Sequence, residues 1–264
     1  MKFTKMHGLG NDYLYVCGDV PENIAALSIK LSERHFGAGS DGMIYIGPSK
    51  IADFSMRIFN ADGSEAKMCG NGIRCVGKYV YDKGYTDKTT LHIETKSGVK
   101  TLRLHLRSGV VDRVTVSMGS AEVAAEQVLD VAGETVKYIP VSVGNPHAVI
   151  FCDDAEAAPV TALGPQIEHH PAFPGGVNVE FVQVLYRREL RMRVWERGSG
   201  VTMACGTGAC ASTAAAVRQC LCMPDTPITV RLDGGALEIT VAPGGEVTMT
   251  GPAAFVYEGE TIGC

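Results

Sequence analysis

Displaced by 136 positions, the distance from Cys69 to Cys205, the chain falls onto itself. "MRIFNADGSEAKMCGNGIRCV" (56–76) then lies on "MRVWERGSGVTMACGTGACAS" (192–212). Met56 meets Met192, Arg57 meets Arg193, Ile58 meets Val194, Phe59 meets Trp195 and Asn60 meets Glu196. Further on, Cys69 meets Cys205, Gly70 meets Gly206 and Gly72 meets Gly208. Each copy reads as a strand ending nine residues before the cysteine, a polar glycine-bearing loop, and a helix that begins at the cysteine. Chance accounts for one C-G-x-G. It does not account for that motif preceded twice, at one spacing, by M-R-[IV]-aromatic. A shift of about half of 264 residues predicts two halves of one design, related by a pseudo-twofold axis.

The rest of the chain fits that plan. Short β-branched or alternating runs recur, among them "ADFSMRIF", "TTLHIET", "VKTLRLHL", "VDRVTVSM", "VKYIPVSV", "HAVIF", "VNVEFVQVL", "ITVRL", "ALEITVA" and "EVTMTG". Four segments read as helices: "PENIAALSIKLSERH", with Pro21 at an N1-like position, "PVTALGPQIEHH", "GNGIRCVGKYVYDKG" and "GTGACASTAAAVRQC". Poor patterning over "SMGSAEVAAEQVLDVAGE" (117–134) marks the crossover between halves and suggests no compact element there. The strand "AFVYEGE" is expected to return to the first half and close it. The expected units are 1–117 plus 253–264, carrying Cys69, and 118–252, carrying Cys205, with the active site in the cleft between them.

A helix N-terminus offers unpaired N–H groups and a partial positive charge, which suit a carboxylate. Glycine in the first turn lets a ligand approach the backbone. A cysteine there is expected to have its thiol pKa lowered and to present an accessible thiolate. One such corner makes a nucleophile or a base. Two facing corners suit inversion at a carbon beside a carboxylate: one thiolate takes the α-proton from one face and the other thiol returns a proton to the opposite face. Converging N–H groups would stabilise the charge that develops on the carboxylate. The plainer reading, small buried cysteines at tight turns, explains one corner but gives no reason for two.

Composition narrows the remaining classes. A net charge of −5 argues against a nucleic-acid surface, and no long apolar run or leader-like segment suggests a membrane anchor or secretion. Nine cysteines (Cys17, Cys69, Cys75, Cys152, Cys205, Cys210, Cys220, Cys222 and Cys264) fit a reducing, cytoplasmic setting better than a disulfide frame. None are spaced C-x-x-C, so no metal site is expected. "GTGACA" (206–211) matches G-x-G-x-x-A, but "ERGSGVTMAC" before it is not the apolar strand a dinucleotide fold needs. "GIRCVGKY" (72–79) misses a P-loop at Tyr79, where Ser or Thr should stand.

"HGLGNDY" (7–13), "FNADGSEAKMCGNGIRC" (59–75), "GNPHAVIF" (144–151), "GVNVEFV" (176–182) and "RVWERGSGVTMACGTGACA" (193–211) together resemble the diaminopimelate epimerase family, in its order and spacing and over nearly the whole chain. The resemblance implies an α+β fold of two pseudo-symmetric halves, each a mixed, barrel-like β-shell around a central helix. It also implies a cofactor-independent isomerase acting on the LL and meso forms of 2,6-diaminopimelate, a small amino-acid substrate, and a homodimer. Carried over position by position, Cys69 and Cys205 become the acid/base pair, with His147 and Glu196 as polar partners of the thiols. Asn11, Asn60, Asn145, Asn178 and Arg197 become the grip on the substrate's distal end, joined by Glu196. Gly70, Asn71, Gly206 and Thr207 supply N–H groups to the reacting carboxylate. Cys75, Cys210, Cys220 and Cys222 are expected in the core.

Two positions depart from the family pattern. Val201 stands where "GETxACGTG" would have an acid, although the first copy keeps Glu65, and Ala148 stands where cysteine is frequent. Val201 keeps alive a racemase of the same fold acting on another amino acid, such as histidine or lysine. A non-catalytic thiol or metal-binding protein is the rival from a different class.

Overall fold

Alternation of side chains across a strand lets one sheet pack helices on both faces, and the chain uses this in each of two units. The computed structural model describes residues 1–262, so Cys264 and the end of the expected 253–264 segment lie outside it. One unit comprises Met1–Ser117 with the described part of Gly251–Cys264, the other Met118–Thr250.

In the first unit the order is β1 (Lys2–Gly8), β2 (Asn11–Cys17), α1 (Ile24–Ser32), β3 (Gly42–Gly47), β4 (Phe54–Asn60), β5 (Glu65–Ala66), α2 (Gly70–Asp82), β6 (Thr90–Thr95), β7 (Gly98–Arg107) and β8 (Val110–Ser120). The second unit has β9 (Glu122–Val123), β10 (Gln127–Val131), β11 (Glu134–Ser142), β12 (Pro146–Phe151), α3 (Val160–Glu168), β13 (Asn178–Tyr186), β14 (Glu189–Glu196), β15 (Gly200–Val201), α4 (Gly206–Arg218), β16 (Ile228–Leu232), β17 (Gly235–Val241) and β18 (Glu246–Pro252). The final strand, β19 (Ala254–Glu260), lies antiparallel along β1, pairing Lys2 with Glu260. Both unit boundaries fall inside strands, at β8 and β18.

The pairings repeat. β2 and β3 are parallel, as β12 and β13 are; β3–β4 and β13–β14 are antiparallel; β4–β6 and β14–β16 are parallel. Each parallel β2–β3 or β12–β13 step needs a crossover, supplied by α1 or α3. On one sheet face of the first unit, Leu14, Met43, Tyr45 and Phe59 pack against Ile24, Leu27 and Leu31 of α1. The second unit packs Val177, Val179 and Phe181 against Val160 and Ile167 of α3. The intervening residues face α2 or α4, which are buried along nearly their whole length. Each fully buried aliphatic side chain adds about 1.5–3 kcal/mol relative to exposure. The fold is α+β, mostly sheet with four helices among the described residues.

Some expectations need correcting. Pro21 lies outside α1, whose N-cap is Asn23; the Pro21 carbonyl instead accepts the Ile24 N–H at 3.2 Å. The supposedly featureless 117–134 segment holds the end of β8, all of β9 and β10, and the start of β11. Apart from Val128, its exposed residues are polar or small, which hid the strands. Helix α4 ends at Arg218, so Cys220 is not a core helix residue: it is exposed, with φ 59°. Cys75, Cys210 and Cys222 are buried. Gly77, the second glycine of the near-miss P-loop, is a packing residue, since a Cβ there would meet Leu102 and Leu104 of β7 at 2.9 Å.

Candidate active site

The first corner is built by a two-residue turn and a helix start. Leu9 and Gly10 both have positive φ (58° and 85°), the conformation a tight β1–β2 hairpin needs. That turn sets Asn11 at the head of β2. Cys69 is the N-cap of α2, in extended conformation, and its sulphur accepts the Gly72 N–H at 3.3 Å. The Cys69 thiol donates to Asn11 Oδ1 at 3.3 Å, and Asn11 Nδ2 donates to Asp41 Oδ2 at 2.8 Å. Burial raises the Asp41 pKa. Asn71, the second helical residue, is buried, while the Asn60 side chain turns to Ser64 Oγ at 3.1 Å.

Cys205 is likewise the N-cap of α4 and accepts the Gly208 N–H at 3.3 Å. From its sulphur a polar line runs inward. Thr207 Oγ1 lies at 3.6 Å and receives Asn145 Nδ2 at 3.2 Å; Asn145 Oδ1 is 3.1 Å from His147 Nε2. His147 Nδ1 ends the line on Glu180 Oε1 at 2.7 Å, with both side chains 0% exposed. Glu196, the last residue of β14, accepts the Thr202 hydroxyl and hydrogen-bonds Cys205. Asn178 holds the backbone beside it, donating to the Pro146 carbonyl at 3.0 Å and accepting the Arg197 N–H at 3.1 Å. The Arg197 guanidinium donates to the Gly175 carbonyl at 3.1 Å.

The expectation of an accessible, acidified thiolate fails at Cys205. Its side chain is buried, and burial, then Glu196, then Glu180, push its pKa well above the ordinary thiol value; Thr207 and the Gly208 N–H pull only partly the other way. Burial raises the Glu196 pKa as well. The corner thus favours the protonated thiol, beside a carboxyl whose burial also favours its neutral form. Cys69 is half-buried.

Strand register reveals partners that the constant shift conceals. Met43 pairs with Leu14, and Val179, 136 residues beyond Met43, pairs with Ala148, only 134 beyond Leu14. On that register Asn11 corresponds to Asn145, and Tyr13 to His147. At the full shift Ile44 corresponds to Glu180. Tyr13 and Glu180 were not singled out in the sequence. Tyr13 is buried, and its hydroxyl pKa is raised by that burial and next by Cys69. Glu180 left a signal: a single carboxylate in the apolar run "VNVEFV", on a strand paired on both sides, must find a buried partner. Val201, partly exposed in β15, pairs with Trp195. Its counterpart Glu65 holds Arg57 at 2.8 Å and Lys96 at 2.5 Å. Among the described residues, no group of three or more His, Cys, Asp or Glu side chains is placed to hold a metal ion. None of their helices is long and apolar enough to cross a membrane.

The model of a family described as diaminopimelate epimerase matches residues 3–124 and 139–256. Diaminopimelate epimerase of Phocaeicola vulgatus is 51% identical over 98% of this chain and 98% of its own length. That of Acetivibrio thermocellus is 48% identical over the same shares of each. The crystal structure of a hydroxyproline epimerase from Agrobacterium vitis superposes with a TM-score of 0.71 at 19% identity, over 98% of this chain and 91% of that one, a likeness of fold.

Proposed function

Since the chain belongs to the diaminopimelate epimerase family, we propose that it interconverts LL- and meso-2,6-diaminopimelate, an isomerase step in the synthesis of lysine and of a peptidoglycan precursor. The observation that carries this reading is the doubled helix-start cysteine, each sulphur accepting the N–H three residues on. With no cofactor to stabilise a carbanion, the barrier to removing an α-proton falls to the protein's own groups. Cys69 and Cys205 act as an acid/base pair, one on each face of the α-carbon: the thiolate of one takes the α-proton and the thiol of the other returns a proton to the opposite face. First-turn N–H groups at Gly70 and Asn71, and at Gly206 and Thr207, stabilise charge on the carboxylate as the proton leaves. His147 and Glu196 set the protonation of Cys205. Asn11, Asn60, Asn145, Asn178, Glu196 and Arg197 orient the substrate, the distal amino-acid group being what distinguishes it from simpler amino acids. The enzyme works in the cytoplasm as a homodimer.

The histidine or lysine racemase reading rested on Val201. The equivalent acid, Glu65, is engaged in ion pairs with Arg57 and Lys96, so replacing it in the second copy removes a surface pair rather than a substrate contact. That favours diaminopimelate. In D₂O the enzyme should exchange an α-proton of LL-diaminopimelate for deuterium as the meso form accumulates, read by NMR. No exchange with diaminopimelate, together with exchange of histidine or lysine, would overturn the substrate assignment.

A further inference from the structure

Beneath the first turn of α4 lies a carboxylate whose task the two-thiol scheme leaves unassigned. Glu180 is wholly buried on β13, between β12 and β14. One oxygen meets His147 Nδ1 at 2.7 Å, and the other, Oε2, is buried with no hydrogen-bond partner. A buried carboxylate left half-satisfied destabilises the fold, so packing alone does not explain its presence. The corresponding residue of the first unit, Ile44, fills the same place with an apolar side chain, so the fold does not require an acid there.

Space for the carboxylate is made deliberately. A Cβ on Gly208 would stand 2.7 Å from Glu180 Oε1, just as a Cβ on Gly72 would stand 2.6 Å from Ile44 Cδ1. The glycine thus serves close approach in both units, and only in the second does it admit a charge beneath the helix N-terminus. The hydrogen bonds then fix a direction. Asn145 bridges Thr207 Oγ1 and His147 Nε2, at 3.2 and 3.1 Å. The Glu180 carboxylate can only accept, so Nδ1 carries the hydrogen of that bond, and the ring edge at Nε2 is thereby turned to Asn145.

We infer that Glu180 is a positioning residue of the second corner, accepting the Nδ1–H of His147 so that the ring's Nε2 edge is presented to the Asn145–Thr207 line ending on Cys205. The inference deepens the epimerase reading and rests on it for the identity of the reaction. It also gives His147 a fixed orientation without contact to the substrate. Burial first, then the charges of Glu196 and Glu180, oppose ionisation of Cys205, whereas Thr207 and the Gly208 N–H favour it.

The test is Glu180→Gln, which keeps size and hydrogen-bonding capacity and removes the charge. We expect a thermal midpoint close to the parent's, KM for diaminopimelate changed by less than about threefold, and kcat lowered about 10- to 100-fold, as when a histidine loses the partner that orients it. Alkylation of Cys205 by iodoacetamide, followed by peptide mass spectrometry, should become about tenfold faster at pH 8 as the opposing charge is lost. A folded variant with parental kcat and a parental Cys205 alkylation profile would overturn the inference. If the variant does not fold, ¹⁵N spectra of histidine-labelled parent protein decide: His147 Nδ1 is expected to carry the hydrogen donated to Glu180, and an Nδ1 without hydrogen overturns the assignment. Alkylation and nitrogen spectra need no substrate. Parent protein that fails to exchange diaminopimelate would therefore sink the epimerase reading while leaving this one separately readable.

Discussion

Below the first turn of α2 lies Ile44; below that of α4 lies Glu180. The backbones above them are near copies: an extended cysteine N-cap, a sulphur accepting the N–H three residues on, and a glycine that lets the strand residue come within van der Waals distance. Around these copies the polar surroundings diverge. Cys69 is half-buried and donates to a side-chain amide, Asn11. Cys205 is enclosed, flanked by Glu196 and tied through Thr207 and Asn145 to a buried histidine–carboxylate pair. Duplication supplied two helix starts, and the residues beneath and beside them made one corner a guarded acid and the other a more open thiol. Equivalent geometry does not make equivalent chemistry, because the protonation of a thiol is set by the charges and solvent around it.

The largest expected effect tests what the corners share. Cys69→Ser and Cys205→Ser should each lower epimerisation by about 10³-fold or more, the scale of losing a positioned acid or base. Parental turnover in either would break the symmetry of roles and with it the two-thiol scheme. Next comes the difference between them. At pH 7.5 iodoacetamide should label Cys69 at least about tenfold faster than Cys205, since thiolate character and access govern the rate and Cys205 has little of either. Equal rates would mean that the enclosure of Cys205 does not persist in solution.

Substituting the glycines sharpens the comparison further. Gly72→Ala and Gly208→Ala each place a methyl group too close to the strand residue beneath, and overpacking of this kind costs about 1–3 kcal/mol. Ile44 Cδ1 is a mobile tip, so Gly72→Ala should sit at the low end by denaturant unfolding. Gly208→Ala should sit at the high end, because Glu180 is held by His147. The smallest effect concerns Val201. Glu65→Val, which makes the first loop resemble the second, should lose no more than about 1 kcal/mol, the usual range for an exposed pair, and leave turnover within about twofold. A larger loss of turnover would return the acid at this place to the substrate's surroundings.

Much of this was legible in the chain. A single shift located both cysteine N-caps, and the strands β4 and β14 end at Asn60 and Glu196 as the spacing required. The helix starts were readable because glycine, cysteine and the loss of strand alternation coincide there. The match of Tyr13 to His147 was not legible, since β2 and β12 stand 134 residues apart while β3 and β13 stand 136 apart. A slip of two preserves which face each side chain takes, so the fold tolerates it, yet it defeats alignment by a single offset. Glu180 lay at the full offset and was obscured by the apolar strand around it. Helix-start logic also misjudged the Cys205 thiol, because burial and two carboxylates outweigh a partial positive charge.

The pairing of β19 with β1 sets a timetable for synthesis. Met118–Thr250 is continuous in sequence, so the second unit has all its strands as soon as they leave the ribosome. β1 emerges first and must wait for its partner until Glu260 has been made. At about 5–20 residues per second that interval is roughly 10–50 s. Throughout it, one edge of β1 is an open template for other nascent strands. Sequence order and completion order are thus reversed: the half that holds β1 is the half completed last.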